Sequence, residues 1–290
     1  MKVFYWEEIS RNNAVFGDFF ENCKESSIKQ RFLQGSALAV GGFDGCHLGH
    51  QAIFSRLFAR KEMLKGVVTF VKPPRALKEG EKFSGCICTL PQQIEFFDSI
   101  GLDFVLLIDF SLDFGRMKGE IFLQFLYDFC KMRFLTVGSD FRCGYKLDTG
   151  CAEIADFASR KNVKTDFVDA VCNDSVRVSS SLIRKAVCSG DFNTAKKLLG
   201  RAFALDVHNF EQSFGDENEI ILKADKAFSQ IMPPVGQYTV CIEALFCDSS
   251  REPEKRSFSG IVKVNPTFLS CRFSFSGVCL KVQTIKFEEM

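Results

Sequence analysis

Two of the three histidines of this 290-residue chain fall in one segment, Gly41-Gly42-Phe43-Asp44-Gly45-Cys46-His47-Leu48-Gly49-His50. His47 and His50 are three residues apart, so at the start of a helix they share a face. Gly49 between them removes a side chain that would keep a ligand from the backbone. The free N–H groups and the dipole of a helix start favour an anion, most naturally phosphate. Imidazoles there can donate to phosphoryl oxygens and balance charge as a pyrophosphate departs. Two blander readings compete: a buried core histidine pair, and a zinc site built from Cys46, His47 and His50. The first does not account for two imidazoles beside a glycine cluster. The second lacks a fourth ligand at metal spacing, because His208 lies in another module.

A second segment, Val178-Ser179-Ser180-Ser181-Leu182-Ile183-Arg184, also reads as a helix start. A serine there caps the helix; the functional alternative adds hydroxyls facing a phosphate, with Arg184 one turn inside to bind pyrophosphate. The third is Val137-Gly138-Ser139-Asp140-Phe141-Arg142-Cys143-Gly144. Asp140 is either a Mg²⁺ ligand or phosphate-orienting group, or a plain turn residue.

Short apolar runs alternate with amphipathic stretches of helical length from Ser36 to Asp169. Strands are expected at 36–40, 66–70, 103–108, 134–138 and 162–170, with helices at 50–63, 120–133, 151–161 and from Thr89 to Gly101. Thr89 followed by Gln92 is a capping-box signal. Strand and helix in alternation predict a doubly wound, Rossmann-like α/β fold with a parallel sheet. Ligands in such sheets bind beyond the carboxyl ends of the strands, which is where the first and third segments fall. Residues 179–188 and 191–199 read as two short helices. Beyond Arg201 the pattern turns to alternating strands at 236–246, 258–264, 268–275 and 277–287, a smaller all-β, barrel-like domain. The division expected is 1–186 for the first domain, 187–204 for a linking helix and 205–290 for the β domain.

Composition narrows the classes further. The net charge of +1 does not advertise nucleic acid or a membrane surface. With 33 phenylalanines the core must be built from them, so no single one marks a ligand stack. The 13 cysteines are scattered without a Cys-x-x-Cys, which fits reduced thiols in a cytoplasm better than a disulfide framework. No apolar run approaches the length of a membrane span, and the start MKVFYWEEIS places acids where a signal peptide needs an apolar core.

The segment GGFDGCHLGHQ resembles the Gly-x-Phe-Asp-Gly-x-His-x-Gly-His stretch of the nucleotidylyltransferase superfamily. VGSDFRCG, SSSLIR and LLGRAF resemble, in the same order, segments of bacterial FAD synthetases, over residues 36–203. The resemblance implies an FMN adenylyltransferase of nucleotidylyltransferase type, with ATP and FMN as substrates, FAD as product and Mg²⁺ as cofactor. By position it implies that His47 and His50 contact the ATP phosphates and stabilise the transition state. Gly42, Phe43, Asp44 and Gly49 would line the nucleotide pocket. Ser179, Ser180, Ser181 and Arg184 would close over the phosphates, with Ser181 and Arg184 catalytic. Asp140 would sit near the metal, and Phe70, Pro74 and Phe141 would wall the flavin. Such chemistry needs alignment and charge stabilisation rather than a covalent intermediate.

The chain departs from that family in several places. Where Thr-Phe-Glu-Pro-His-Pro is usual it has Thr69-Phe70-Val71-Lys72-Pro73-Pro74, and Cys143 replaces a usual Phe. Residues 201–240 lack the glycine-rich Pro-Thr-Ala-Asn segment of a riboflavin kinase barrel, although Pro233-Pro234-Val235-Gly236-Gln237-Tyr238 resembles a later strand of it. The expectation is therefore an FAD-making enzyme without kinase activity, the alternatives being the bifunctional enzyme or a weakened flavin-binding protein. A class I aminoacyl-tRNA synthetase is set aside because no Lys-Met-Ser-Lys-Ser type loop or basic face is present. The expected partners are small molecules, with neither nucleic acid nor membrane, and the expected state is a monomer or weak oligomer.

Overall fold

The computed structural model describes residues 1–12, 14–73, 83–110, 114–215, 219–224, 229–247, 254–274 and 278–287. Contacts divide the chain into two units, Met1–Glu81 with Gln93–Arg177, and Lys82–Gln92 with Val178–Met290. Residues 178–186, grouped with the first domain on sequence, cluster with the second unit.

Six strands build the sheet of the first unit: β1 (Lys2–Tyr5), β2 (Ser36–Val40), β3 (Leu64–Phe70), β4 (Phe104–Ile108), β5 (Met132–Gly138) and β6 (Lys164–Val168). Their order is β1-β4-β3-β2-β5-β6, and every pairing is parallel. Helices α1 (Trp6–Arg11), α2 (Ala14–Glu21), α3 (Ser26–Gln34), α4 (Leu48–Phe58), α5 (Leu90–Ser99), α6 (Gly119–Phe129) and α7 (Cys151–Lys161) connect them. Both sheet faces are buried, as the runs SALAV and FVLLI require. Leu38, Val40, Phe104, Leu106 and Ile108 face a cluster with Phe4, Phe16, Phe20 and Phe32 and with Phe122, Leu126 and Phe157. The residues between them, such as Ala37, Ala39, Val105 and Leu107, are equally buried on the opposite face. Gly66 is needed on β3 because a Cβ there would run into the Phe104 ring.

The connections run outward from β2 to β3 and β4, then return to β5 and continue to β6. The order therefore reverses between β2 and β5, and at their carboxyl ends the connecting loops part to leave a crevice. The glycine-histidine segment follows β2, and Asp140 and Phe141 follow β5.

In the second unit α8 (Ser180–Cys188) and α9 (Phe192–Leu199) precede the strands β9 (Phe203–Asp206), β10 (Glu211–Phe214), β11 (Glu219–Lys223), β12 (Gly236–Cys247), β13 (Glu254–Val264), β14 (Leu269–Phe273) and β15 (Val278–Phe287). These seven strands form an antiparallel half-barrel sheet in the order β10-β11-β14-β13-β12-β15-β9. Inward residues Val240, Ile242, Ala244 and Phe246 of β12 alternate with half-buried outward ones, the period of a one-faced sheet. Between β6 and α8 a two-strand hairpin, β7 (Cys172–Asn173) with β8 (Val176–Arg177), turns on the left-handed residues Asp174 and Ser175.

Candidate active site

The turn after β2 is fixed by three left-handed residues, Phe43 at φ 46°, Gly45 at 80° and Cys46 at 41°. Such angles cost strain at non-glycine residues, so the surroundings must impose them. The Phe43 ring does so, being 2% exposed and packed 4.9 Å from Phe54 and 5.3 Å from His50. Cys46 donates its N–H and its thiol to the Phe43 carbonyl, at 2.9 and 3.3 Å. Asp44 is buried within the same turn. Phe43 thus enters the site through its backbone, its ring serving as the anchor.

His47 is the N-cap of α4, and its Nδ1 accepts the backbone N–H of His50 at 3.4 Å. An accepting Nδ1 carries no proton, which leaves the proton of a neutral ring on Nε2. The two imidazoles stack with centroids 3.6 Å apart and planes 15° from parallel. His47 is 6% exposed and His50 and Gly49 are half-buried. Both rings therefore sit over the first turn of α4, where the helix dipole and N–H groups favour anionic charge.

Beside this turn lies an apolar cleft with a volume of about 420 Å³. Gly41 and Gly42 form part of its wall, and Phe70, Phe110, Phe114, Phe141 and Tyr145 supply aromatic faces and edges. Phe70, Phe110 and Phe114 form a triangle with centroids 5.5, 5.6 and 6.4 Å apart. Arg142 and Lys146 bring positive charge to the same wall. The lining loop is braced: Cys143 and Thr149 exchange backbone hydrogen bonds of 2.8 and 3.1 Å, and Tyr145 N–H donates to the Met117 carbonyl at 2.8 Å. Burial, aided by the Asp148 charge, pushes the Cys143 thiol up to about 12, so it lines the cleft as a neutral group.

Asp140 lies on the turn after β5 with its side chain 73% exposed, 2.6 Å from Arg177 Nη2. No group of three or more His, Cys, Asp or Glu side chains gathers at metal-binding spacing among the described residues. One exposed carboxylate at the carboxyl edge of the sheet fits Mg²⁺, which keeps several waters and takes one or two carboxylates besides the oxygens of its substrate.

In the second unit Ser179 caps α8, its Oγ accepting the Leu182 N–H at 3.3 Å. Ser180 is half-buried and Ser181 exposed. Arg184 is 7% exposed, donates Nε to the Gly85 carbonyl at 3.0 Å and sets its guanidinium 5.8 Å from the Phe83 ring centroid. That contact ties α8 to residues 83–89 of the same unit. Pro74 lies outside the described residues.

The profile of the FAD synthetase family matches residues 29–182, more than half of the chain and all of the turn, histidines and cleft just described. The chain belongs to the FAD synthetase family. A Haemophilus influenzae protein named bifunctional riboflavin kinase/FMN adenylyltransferase is 30% identical over 179 residues, covering 60% of this chain and 58% of the relative. The Escherichia coli K12 protein of the same name is 27% identical over 183 residues, covering 62% and 58%. The chain thus matches under two thirds of the length of these curated relatives. A Geobacillus thermodenitrificans relative is 30% identical over 173 residues, 58% of this chain and 91% of its own. A solved structure described as a macrolide-efflux protein from Streptococcus pneumoniae shares the fold, with TM-score 0.72 at 19% identity over 87% of this chain and 84% of that one.

For an FAD synthetase family member, the structure gathers Gly42, Phe43, Asp44, His47, Gly49, His50, Phe70, Asp140 and Phe141 in one unit at the carboxyl edge of its sheet. Phe110, Phe114, Tyr145, Arg142 and Lys146 of the cleft were not expected from the sequence. Nor were Thr69 and Gln93, which donate to the Gly42 carbonyl at 3.3 and 3.0 Å. A side chain that serves a backbone carbonyl leaves no spacing signature. Thr69-Phe70 beside the altered 71–74 stretch was the one available signal.

Proposed function

We propose that the protein is an FMN adenylyltransferase. A phosphate oxygen of FMN attacks the α-phosphorus of ATP, the bond to the bridging α,β oxygen breaks, and FAD and pyrophosphate form. One observation carries this reading: in a chain of this family, an aromatic cleft walled in part by Gly41 and Gly42 borders the turn that leads from those glycines into a helix start capped by His47. The cleft suits the flat, apolar isoalloxazine, and Arg142 and Lys146 suit the FMN phosphate. His47 and His50 would donate to phosphate oxygens, where charge grows as pyrophosphate departs. Mg²⁺ bound with the nucleotide supplies charge neutralisation, and Asp140 is the carboxylate that would hold it. For Ser179, Ser180, Ser181 and Arg184, phosphate contacts follow from the sequence resemblance.

The β domain of residues 205–290 is read as having no riboflavin kinase activity, on the departure of residues 201–240 from the kinase segment. Incubation of the full chain with FMN, ATP and Mg²⁺, with chromatographic detection of FAD, tests the transferase. No FAD from metal-replete protein would end that reading. A parallel incubation with riboflavin tests the kinase: FMN or FAD formed there would make the bifunctional reading correct.

A further inference from the structure

The peptide between Gly42 and Phe43 is held by its oxygen. Gln93 Nε2 donates to that carbonyl at 3.0 Å and Thr69 Oγ1 at 3.3 Å. Gln93 is 6% exposed and Thr69 fully buried, so both donors are withdrawn from water and spend their hydrogen bonds here. Thr69 comes from β3 and Gln93 from α5, two elements that approach the turn independently. Meanwhile the buried Phe43 ring fixes the next residue at its left-handed φ of 46°.

No described peptide bond is cis. In a trans peptide the C=O and N–H point in opposite directions. With the oxygen aimed at Thr69 and Gln93, the Phe43 N–H is aimed away from them. No acceptor among the described residues takes that N–H. Gly42 borders open space, since a Cβ on it would meet nothing within 4 Å, and it belongs to the wall of the cleft. Hydrogen bonds to the oxygen also polarise the amide and make its N–H a better donor.

We propose that Gln93 and Thr69 are positioning residues that aim the Phe43 N–H at a phosphoryl oxygen of the nucleotide. The inference rests on the adenylyltransferase reading and deepens it. Gln93→Met and Thr69→Val remove the donors at nearly constant volume, and Thr69→Ser keeps one. Pyrophosphate is the probe, followed by titration calorimetry on the full chain, with FMN fluorescence as the control and FAD formation measured in parallel. Each donor-less variant should bind pyrophosphate about tenfold more weakly while its FMN affinity stays within about twofold; Thr69→Ser should restore pyrophosphate binding. In the unmutated protein the Phe43 amide resonance should shift on adding pyrophosphate, a readout that no folding defect of a variant can obscure. Pyrophosphate binding unchanged in both variants, or a Phe43 amide that does not move, overturns the proposal even if FAD is made. A shifting Phe43 amide and weakened variants without any FAD formation would support the positioning role and overturn the transferase reading instead.

Discussion

His47 Nδ1 accepts the backbone N–H of His50, and the two rings lie 3.6 Å apart in near-parallel stack. One histidine therefore does two jobs: it caps α4 and sets where its neighbour's imidazole stands. The jobs separate by substitution. His47→Ala should cost about 1 kcal/mol of stability through the lost cap and lower turnover as well. His47→Asn restores a capping oxygen, so its melting temperature should return toward that of the parent while turnover stays low. Equal recovery of both would assign His47 a capping role only.

The second imidazole of the pair is tested separately. His50→Asn should lower kcat by roughly 10²–10³-fold, the range for loss of one donor to developing charge, and leave FMN binding nearly unchanged. Steady-state turnover with a separate FMN titration checks this, and unchanged kcat would remove the imidazole from the chemistry.

The aromatic triangle of Phe70, Phe110 and Phe114 gives a prediction about flavin alone. Aromatic stacking on a flat base is worth about 1–3 kcal/mol per contact, so Phe110→Ala should weaken FMN binding by roughly tenfold or more. ATP or pyrophosphate binding should change little. The opposite pattern, weakened phosphate binding with intact FMN binding, would move the flavin out of this cleft.

Cys143 provides a pH test. Burial raises its thiol from the ordinary 9.0 to about 12, and buried Cys130 and Cys271 reach about 12 as well. At pH 8.5 Cys143 should alkylate with iodoacetamide far more slowly than exposed Cys172 and Cys188. Mass-spectrometric labelling that finds them equally fast would contradict the burial. The sign for stability follows from the same direction. As pH rises from about 9 toward about 12, the unfolded chain releases these protons and the folded chain does not, so stability falls across that window.

Elements with unbroken local signals were legible from sequence. SALAV gave β2 and Cys151–Lys161 gave α7 with their observed bounds, and Thr89 with Gln92 gave a capping box that is present, at 3.0 and 3.4 Å. β3 begins at Leu64, two residues before the expected start, because Lys65 sits buried in it. Its ammonium is satisfied by the Met63 carbonyl at 3.1 Å, and burial followed by the Arg31 charge pushes its pKa down. A charged residue at that place reads as a loop. β1, with four residues and a helix starting at Trp6, is too short to show alternation. The same holds for β9, β10 and β11, of four to five residues each. At the site, the histidines and glycines were legible because their chemistry is rare, whereas Phe110 and Phe114 were hidden among 33 phenylalanines.

With Phe43 and Cys46 both left-handed, the turn after β2 could relax only by pulling a phenyl ring out of the apolar layer between sheet and helix. Its backbone is thus rigid before any substrate arrives, and little ordering entropy is left to spend at that spot when a nucleotide docks. Snapshots with and without bound nucleotide should superimpose there, with whatever motion accompanies turnover found elsewhere in the chain.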